Sequence, residues 1–375
     1  MIHTTWCEIS TDNLLHNVRI FRELTGPDIK IMAVIKANAY GHGMGLAAKT
    51  LAPAVEMFGV HSAVEALDLC ALCLDRPILI MGYILKEQVA WFRDRDVHIL
   101  ASTPEVLDAV AEVAPNLPIH LKIETGTNRQ GFTLAELPGV MERARSLGLT
   151  IEGAATHFAN IEDTTDHSFA RTQMSRFEGA LETIRENGAN PTLIHTACSA
   201  AALLFPDTYY SMIRIGISLY GHWPSKETIV SWRMTTGGQN GLSLHPCLTW
   251  KTVVGQIKIL RRGESVGYGC TWKATRESKI AVLPIGYSDG YDRKLSSRAS
   301  VLIGGHRAPV VGRVCMNIVM VDVTDLENVK VGDEVVLLGR QGDEVIRAEE
   351  LGEMIGTINY EVLSRISPLI PRIAV

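Results

Sequence analysis

A chain of 375 residues, 46% hydrophobic and 21% charged, with a formal net charge of −5, has the make-up of a globular protein large enough for two domains. That mildly acidic balance gives no electrostatic reason to expect nucleic acid as a partner. No apolar run reaches the ~18 residues that cross a bilayer, and the opening "MIHTTWCEISTDNLLHNVRIF" lacks the charged-then-apolar order of a secretory signal. Seven cysteines, an odd number in so long a chain, do not make a disulfide framework and fit a reducing cytoplasm.

After a strand-like opening, "HTTWCEIS", eight apolar runs follow in chain order at 29–36, 55–61, 77–83, 97–102, 118–125, 150–157, 191–198 and 209–216. Most are nearly continuous in apolar residues, as strands covered on both faces should be. Amphipathic segments separate most of them. "STPEVLDAVAEVA" reads as a helix with Ser102 at its N-cap and Pro104 in its first turn, and "DHSFARTQMSRFEGALETIRENGA" as a longer one with a glycine stop. Eight such strand–helix units predict a (β/α)8 barrel, the TIM-barrel arrangement. The C-x-x-C of Cys70 and Cys73 has no second pair to complete a zinc site and sits in a helical pattern, so both are expected to be buried helix cysteines. No metal site is expected.

Near residue 235 the texture changes. "TTGGQNGLSLHP" (235–246) is polar and glycine-rich, and beyond it strand patterns with glycine turns dominate. The chain thus divides into a barrel of residues 1–238 and a C-terminal all-β domain of residues 239–375, with residues 1–10 free to pair with the second.

In barrels of this kind chemistry gathers at the C-terminal ends of the strands. Lys36 closes the first run in "AVIKANAYGHG", and Arg129 lies in the loop after the fifth, "KIETGTNRQGF". His157 ends the sixth run, Ser199 follows the seventh, and Arg214 lies near the end of the eighth, just before Gly216. A lysine on a rigid strand end suits covalent attachment of an aldehyde when a nearby cation or apolar wall frees its neutral amine. Pyridoxal phosphate is the aldehyde cofactor that fits, with Tyr40, Ser199 and the Gly216-Ile217 turn as donors to its phosphate. A rival reading takes Gly43, Gly45 and Ala48 as a loose G-x-G-x-x-A dinucleotide fingerprint. It finds no acidic residue at the end of the next run, and it leaves Lys36 and Tyr40 unexplained.

At these residues the chain resembles the alanine racemase family over nearly its whole length. "VIKANAYGHG" is similar to that family's cofactor-lysine signature, and "THFA", "RIGISLYG", "GYG", "LPIGYSDGY", "GRVCMN" and "NYEVL" follow in the family's order. The resemblance implies a cytosolic, homodimeric racemase that binds pyridoxal 5'-phosphate and supplies D-alanine for peptidoglycan. Lys36 would carry the cofactor and act as one base. Tyr268, reaching in from a partner subunit, would be the other. Arg214 would face the pyridine nitrogen with His157 behind it, and Tyr40, Ser199, Gly216, Ile217 and Tyr360 would hold the phosphate. Arg129 and the Met316 N–H would take the substrate carboxylate, with Tyr287 lining the way in. Lys122 matches a lysine that some members carry as a carbamate.

Each residue also has a purely structural reading. Lys36 would be a solvent-facing rim lysine, His157 a satisfied core histidine, and Ser199 a helix cap. Arg129 and Arg214 would be ion-pair partners, Lys122 a counter-charge to Glu124, and Tyr268 and Tyr360 interface or core aromatics. Departures from the family bear on substrate choice: Thr127-Asn128 before the arginine, Cys198 before the serine, Gly267 before Tyr268, Trp272, and Asn317 where aspartate is typical. They leave open a serine or broad-specificity racemase on the same fold. Two further rivals are a basic amino acid decarboxylase, which would place a carboxylate rather than Arg214 at the pyridine nitrogen, and a non-catalytic cofactor-binding barrel, which would lack the β domain.

Overall fold

The structure, a computed structural model, describes residues 3–237 and 241–375. The domain boundary drawn between residues 238 and 239 lies outside the described residues. Two compact units emerge. One comprises Asp12–Ala37 with Ala47–His245; the other comprises the described residues through Thr11, Asn38–Leu46 and Pro246–Val375.

The first unit is the barrel. After a strand β1 (Thr5–Ile9) that belongs to the other unit, its strands are β2 (Lys30–Val34), β3 (Met57–Val60), β4 (Ile78–Ile80), β5 (Val97–Ala101), β6 (Ile119–Lys122), β7 (Ile151–Ala155), β8 (Leu193–His195) and β9 (Met212–Ile215). Each falls inside one of the eight apolar runs. They lie in the order β8-β7-β6-β5-β4-β3-β2-β9, every pair parallel. Between β8 and β9 the ring is completed by individual bonds, Ser211 N–H to Ile194 O at 3.2 Å and Arg214 N–H to Ala197 O at 2.9 Å. This is the (β/α)8 architecture that strand–helix alternation predicts.

Inside the barrel, Met32, Met57, Leu79, Leu100, Ala155, Leu193 and Met212 form one apolar cluster. Side chains alternate between faces along a strand, so residues two positions from these share the inner face. By that rule His98, Gly153, His195 and Arg214 point inward, and His120 joins them through its ring contacts with His98 and His195. Gly153 is there for space: a Cβ on it would lie 2.3 Å from His120 Nδ1.

Two local expectations are corrected. The N-cap of the helix Pro104–Val113 is Thr103, not Ser102, because proline fills the first helical position. Cys70 ends the helix Ala63–Cys70, and Cys73 lies beyond it, exposed and with a φ of 53°. The pair is therefore not buried in a helix.

In the second unit β1 pairs antiparallel with β10 (Leu248–Val253) and parallel with the strand Arg372–Ala374. Further antiparallel strands extend this sheet, and a smaller sheet joins the strands Gln256–Leu260, Ser278–Leu283 and Val319–Asp322. Two short helices, Ala348–Ile355 and Asn359–Ser364, accompany the sheets.

A Gly153→Ala variant is expected to lose about 1–3 kcal/mol through overpacking against the His120 ring. Chemical denaturation of the two proteins measures it; equal midpoints and slopes would show the ring to be loosely placed.

Candidate active site

The residue that closes β2 sets up the site. Lys36 opens a single helical turn, Lys36–Tyr40, in which Ala37, Asn38, Ala39 and Tyr40 have φ values of 52°, 54°, 55° and 51°. This turn is left-handed and contains no glycine, a conformation that costs about 1–2 kcal/mol per residue. Runs of this kind persist only where surroundings over-determine them. Here the Ala37 N–H donates to Glu65 Oε1 at 2.7 Å, while the other Glu65 oxygen accepts from the N–H groups of His61 and Ser62. Just upstream, the buried Tyr220 hydroxyl donates to Val34 O at 3.0 Å. The lysine is thus anchored on both sides along the chain.

Lys36 itself makes no hydrogen bond or ion pair among the described residues. Burial first, and the Arg129 charge second, push its amine below the usual lysine range, with Glu65 opposing them. A solvent-facing rim lysine would meet neither influence. Arg129 rides a loop organised by Glu124, whose carboxylate accepts from the N–H groups of Gly126 at 2.5 Å and Arg129 at 3.2 Å. Burial pushes Glu124 up, but these backbone donors prevail and hold it below the usual carboxylate range. Glu124 is consequently engaged with its own loop, and Lys122 has no ion-pair partner among the described residues. That buried lysine is pushed far down by desolvation and by the charges of Arg214 and Arg129. Arg129 is exposed and its guanidinium is likewise unpaired among the described residues.

Arg214 is the most constrained member. Its Nη1 donates to His195 O at 2.5 Å and meets His195 Nδ1 at 3.0 Å; its Nη2 meets Thr156 O at 2.9 Å, Thr196 O at 3.0 Å and His157 Nδ1 at 3.3 Å. Those bonds occupy all four Nη hydrogens, and among the described residues the Nε–H finds no protein acceptor. None of these partners is a carboxylate, so among the described residues Arg214 is a buried cation without a counter-charge. Burial lowers its pKa to about 10, which still leaves it protonated at neutral pH. His157 is held neutral by burial and then by the Arg214, Lys122, Arg129 and Lys36 charges.

Ser199 is the first residue of the helix Ser199–Leu204, whose N-cap position falls to Cys198. Rather than capping that helix, its hydroxyl accepts from the Gly216 N–H at 3.1 Å and keeps its own proton to donate. Ile217 begins the short turn Ile217–Tyr220, so its N–H has no intrahelical acceptor.

The second unit holds the remaining candidates. Tyr40 and Tyr360 lie together with ring centroids 6.0 Å apart. Met316 and Tyr287 belong to two segments clamped to each other. Tyr287 N–H donates to Cys315 O at 3.0 Å, Ser288 N–H and hydroxyl both donate to Met316 O, and a Cβ on Gly286 would fall 2.2 Å from that oxygen. Asn317 Nδ2 donates to the Ser288 hydroxyl at 2.7 Å. Tyr268, 72% exposed, opens the turn Tyr268–Cys270. Gly267 before it has φ 71° and ψ −173°, a region essentially reserved for glycine.

Three histidines went unnoticed in the sequence. His98, His120 and His195 each sit singly within an apolar strand run, "VHILA", "IHLK" and "LIH", and only their shared inward face reveals them as a set. Glu65 left a clearer signal, the S-x-x-E capping box in "HSAVE".

A (β/α)8 barrel bearing a reactive-poised lysine and a counterion-free arginine, in one chain with a largely antiparallel unit, defines a two-unit enzyme class. Comparison with known proteins narrows it. Residues 9–224 match the alanine racemase N-terminal domain and residues 247–374 the alanine racemase C-terminal domain. A protein named alanine racemase from Leptospira interrogans is 38% identical, covering 100% of this chain and 96% of its own length; one from Methanococcus maripaludis is 38% identical, covering 99% and 98%. Among solved structures, alanine racemase of Clostridium difficile 630 superposes with a TM-score of 0.92 at 32% identity, and that of Bacillus anthracis with bound L-Ala-P with 0.92 at 33%, each covering 100% of this chain and 96% of the other. The chain belongs to the alanine racemase family and is accordingly an isomerase of the racemase type.

The depressed Lys36 amine predicts its chemistry directly. A larger neutral fraction makes it acylate faster than a free lysine side chain near neutral pH, and Arg129→Gln, by removing a cation that lowers the pKa, slows that labelling. Site-resolved acylation rates read by peptide mapping test both; equal rates in the two proteins would remove Arg129 from the account.

Proposed function

We propose that this protein interconverts L- and D-alanine with pyridoxal 5'-phosphate as its resident cofactor. The reading rests chiefly on Arg214, whose one remaining donor is free for an acceptor such as a ring nitrogen while Lys36 supplies an unpaired amine. The residues present fit the group. Lys36 would carry it, and the Ser199 hydroxyl, oriented by the Gly216 N–H, would hold its phosphate together with the Ile217 N–H, Tyr40 and Tyr360. When bound, the cofactor would delocalise the electron pair left at the substrate α-carbon.

The chain's own groups divide the rest of the work. Lys36 moves the α-proton on one face, and Tyr268, contributed by the partner subunit of a homodimer, moves it on the other. Inversion requires two such groups, because the proton leaves one face and returns to the opposite one. A phenol is a weak base near neutral pH unless its anion is stabilised, and Arg129 supplies positive charge for that purpose. Arg129 and the Met316 N–H also hold the substrate carboxylate, and Tyr287 lines the entry. His157 braces Arg214, which retains its own proton and so withholds one from the ring nitrogen, limiting how far negative charge spreads towards transamination chemistry. Lys122, its amine pressed towards the neutral form by burial and by two arginines, is suited to capture carbon dioxide as a carbamate whose negative charge orients Arg129. All seven cysteines are free, which suits a reducing cytoplasm, and the proposed role there is to supply D-alanine for peptidoglycan.

A broader substrate range has one specific observation in its favour. Asn317 stands where the family typically has aspartate and spends its amide on Ser288, leaving less negative charge beside Met316. Chiral analysis of the products from L-alanine and L-serine separates the readings: faster turnover of serine would displace alanine as the substrate.

Borohydride reduction of the holoprotein is expected to fix the cofactor to Lys36, and its recovery on any other lysine by peptide mapping would defeat the assignment. Tyr268→Phe is expected to lower racemisation by about 10²–10⁴-fold; full two-way exchange of the α-proton with solvent deuterium in that variant would eliminate the two-base scheme.

A further inference from the structure

The barrel interior carries an unbroken line of polar groups that the reaction, as described, does not use. His98 Nδ1 lies 2.9 Å from His120 Nε2, His120 Nδ1 lies 2.8 Å from His195 Nε2, and His195 Nδ1 lies 3.0 Å from Arg214 Nη1. The three rings come from β5, β6 and β8. His120 reaches His195 across β7 because β7 presents Gly153 at that place, where any Cβ would collide with the imidazole. At the far end His98 Nε2 faces the carboxylate of Asp96 at 3.7 Å, and the Asp96 side chain is 70% exposed. Buried polar atoms here are satisfied by one another.

We propose that His98, His120 and His195 form a one-way tautomer chain, terminated by a pure donor at Arg214 and a pure acceptor at Asp96, that positions the Arg214 guanidinium. The order follows from hydrogen-bond chemistry. Arginine has no acceptor, so His195 Nδ1 must accept from Nη1 and His195 carries its proton on Nε2. That N–H donates to His120 Nδ1, which puts the proton of His120 on Nε2. The same step makes His98 Nδ1 an acceptor and leaves the His98 Nε2–H aimed at Asp96. Every Nδ1 is then occupied by an incoming N–H. Protonating any one of the three would set donor against donor, so the line carries no charge of its own and Arg214 remains the cation of this network.

The charges around each ring agree with a neutral line. Burial is the first cause holding all three below the usual histidine range. His98 also faces Asp96 and Glu152, which favour its charged form, and Lys30, which opposes it. His120 faces His98 and Arg214, and His195 faces Arg214, His120, Lys122 and His98, all of which oppose a further positive charge. With both Nη groups fixed by the His195 ring, the His195, Thr156 and Thr196 carbonyls and the His157 ring, the Nε–H has a single direction. The functional part of this inference rests on Arg214 facing the cofactor nitrogen, and it makes the three histidines positioning residues.

Nitrogen-15 NMR of histidine-labelled protein tests the chain, in the holoprotein and in protein freed of cofactor. The expected pattern is three neutral rings protonated on Nε2, with no titration between about pH 5.5 and 9. A protonated Nδ1 on His195 or His120, or a titrating ring among the three, overturns the tautomer order. Failure to take up pyridoxal phosphate would instead count against the cofactor reading, while the ring pattern of the cofactor-free protein still decides the chain. His120→Leu removes the donor facing His98 Nδ1, so His98 should begin to titrate beside Asp96. In the same variant kcat for racemisation should fall by about 10–100-fold through misplacement of Arg214, with KM for alanine little changed because Arg214 does not hold the substrate carboxylate. Should His120→Leu fail to fold, His98→Leu breaks the line nearer its open end and should lower kcat in the same direction. An unchanged kcat in a folded variant with an altered ring pattern overturns the positioning role.

Discussion

A buried guanidinium that finds no counter-charge among the described residues is the constraint around which this barrel is arranged. Desolvating a cation is expensive unless its hydrogen bonds are met, and here neutral oxygens and imidazoles meet all but one. Backbone carbonyls at the ends of β7 and β8 converge on Arg214, which ties the mouth of the barrel together at the place where β8 and β9 join by single bonds instead of a regular ladder. The arrangement also explains why no carboxylate is needed nearby. A charged partner would pin the guanidinium equally well, but would cancel a field that helps press His157 and Lys122 towards their neutral forms.

Arginine charge, from Arg214 at Lys122 and from Arg129 at Lys36, spreads because the groups that feel it are themselves bases. Lys36 and Lys122 are pressed towards neutrality by burial first and by arginine charge second. Neutral amines are nucleophiles, and ammonium ions are not. Arg129 adds to this from an exposed loop, and the loop keeps its shape because Glu124 is committed to backbone N–H groups. Reactivity at the rim is therefore a collective property of a few charges and the apolar cluster beneath them.

Much of this was legible in the sequence. Strands covered on both faces read as continuous apolar runs, so all eight were visible, and the polar residues at their ends stood out against that background. What hid was whatever depends on neighbours far away in the chain. A single histidine in "IHLK" looks like an accommodated core residue until β5, β6 and β8 are set side by side. The left-handed turn after Lys36 was hidden for a different reason: Ala37, Asn38, Ala39 and Tyr40 carry no glycine to announce it, and its hold on Glu65 spans 28 residues. Ser102 and Cys73 failed locally, one because Pro104 moved the helix start by a residue and the other because the helix stopped at Cys70.

The placement of β1 has a consequence for how the chain is made. Its neighbours in the sheet are β10 and the strand Arg372–Ala374, with Cys7 opposite both Trp250 and Arg372. A ribosome delivers this strand more than two hundred residues before either partner, so one edge stays open until β10 emerges and the other until Arg372–Ala374 does. Strands with free edges recruit whatever strand is nearest. Its shortness, five residues, and the Glu8 carboxylate within it limit that hazard until the C-terminus emerges.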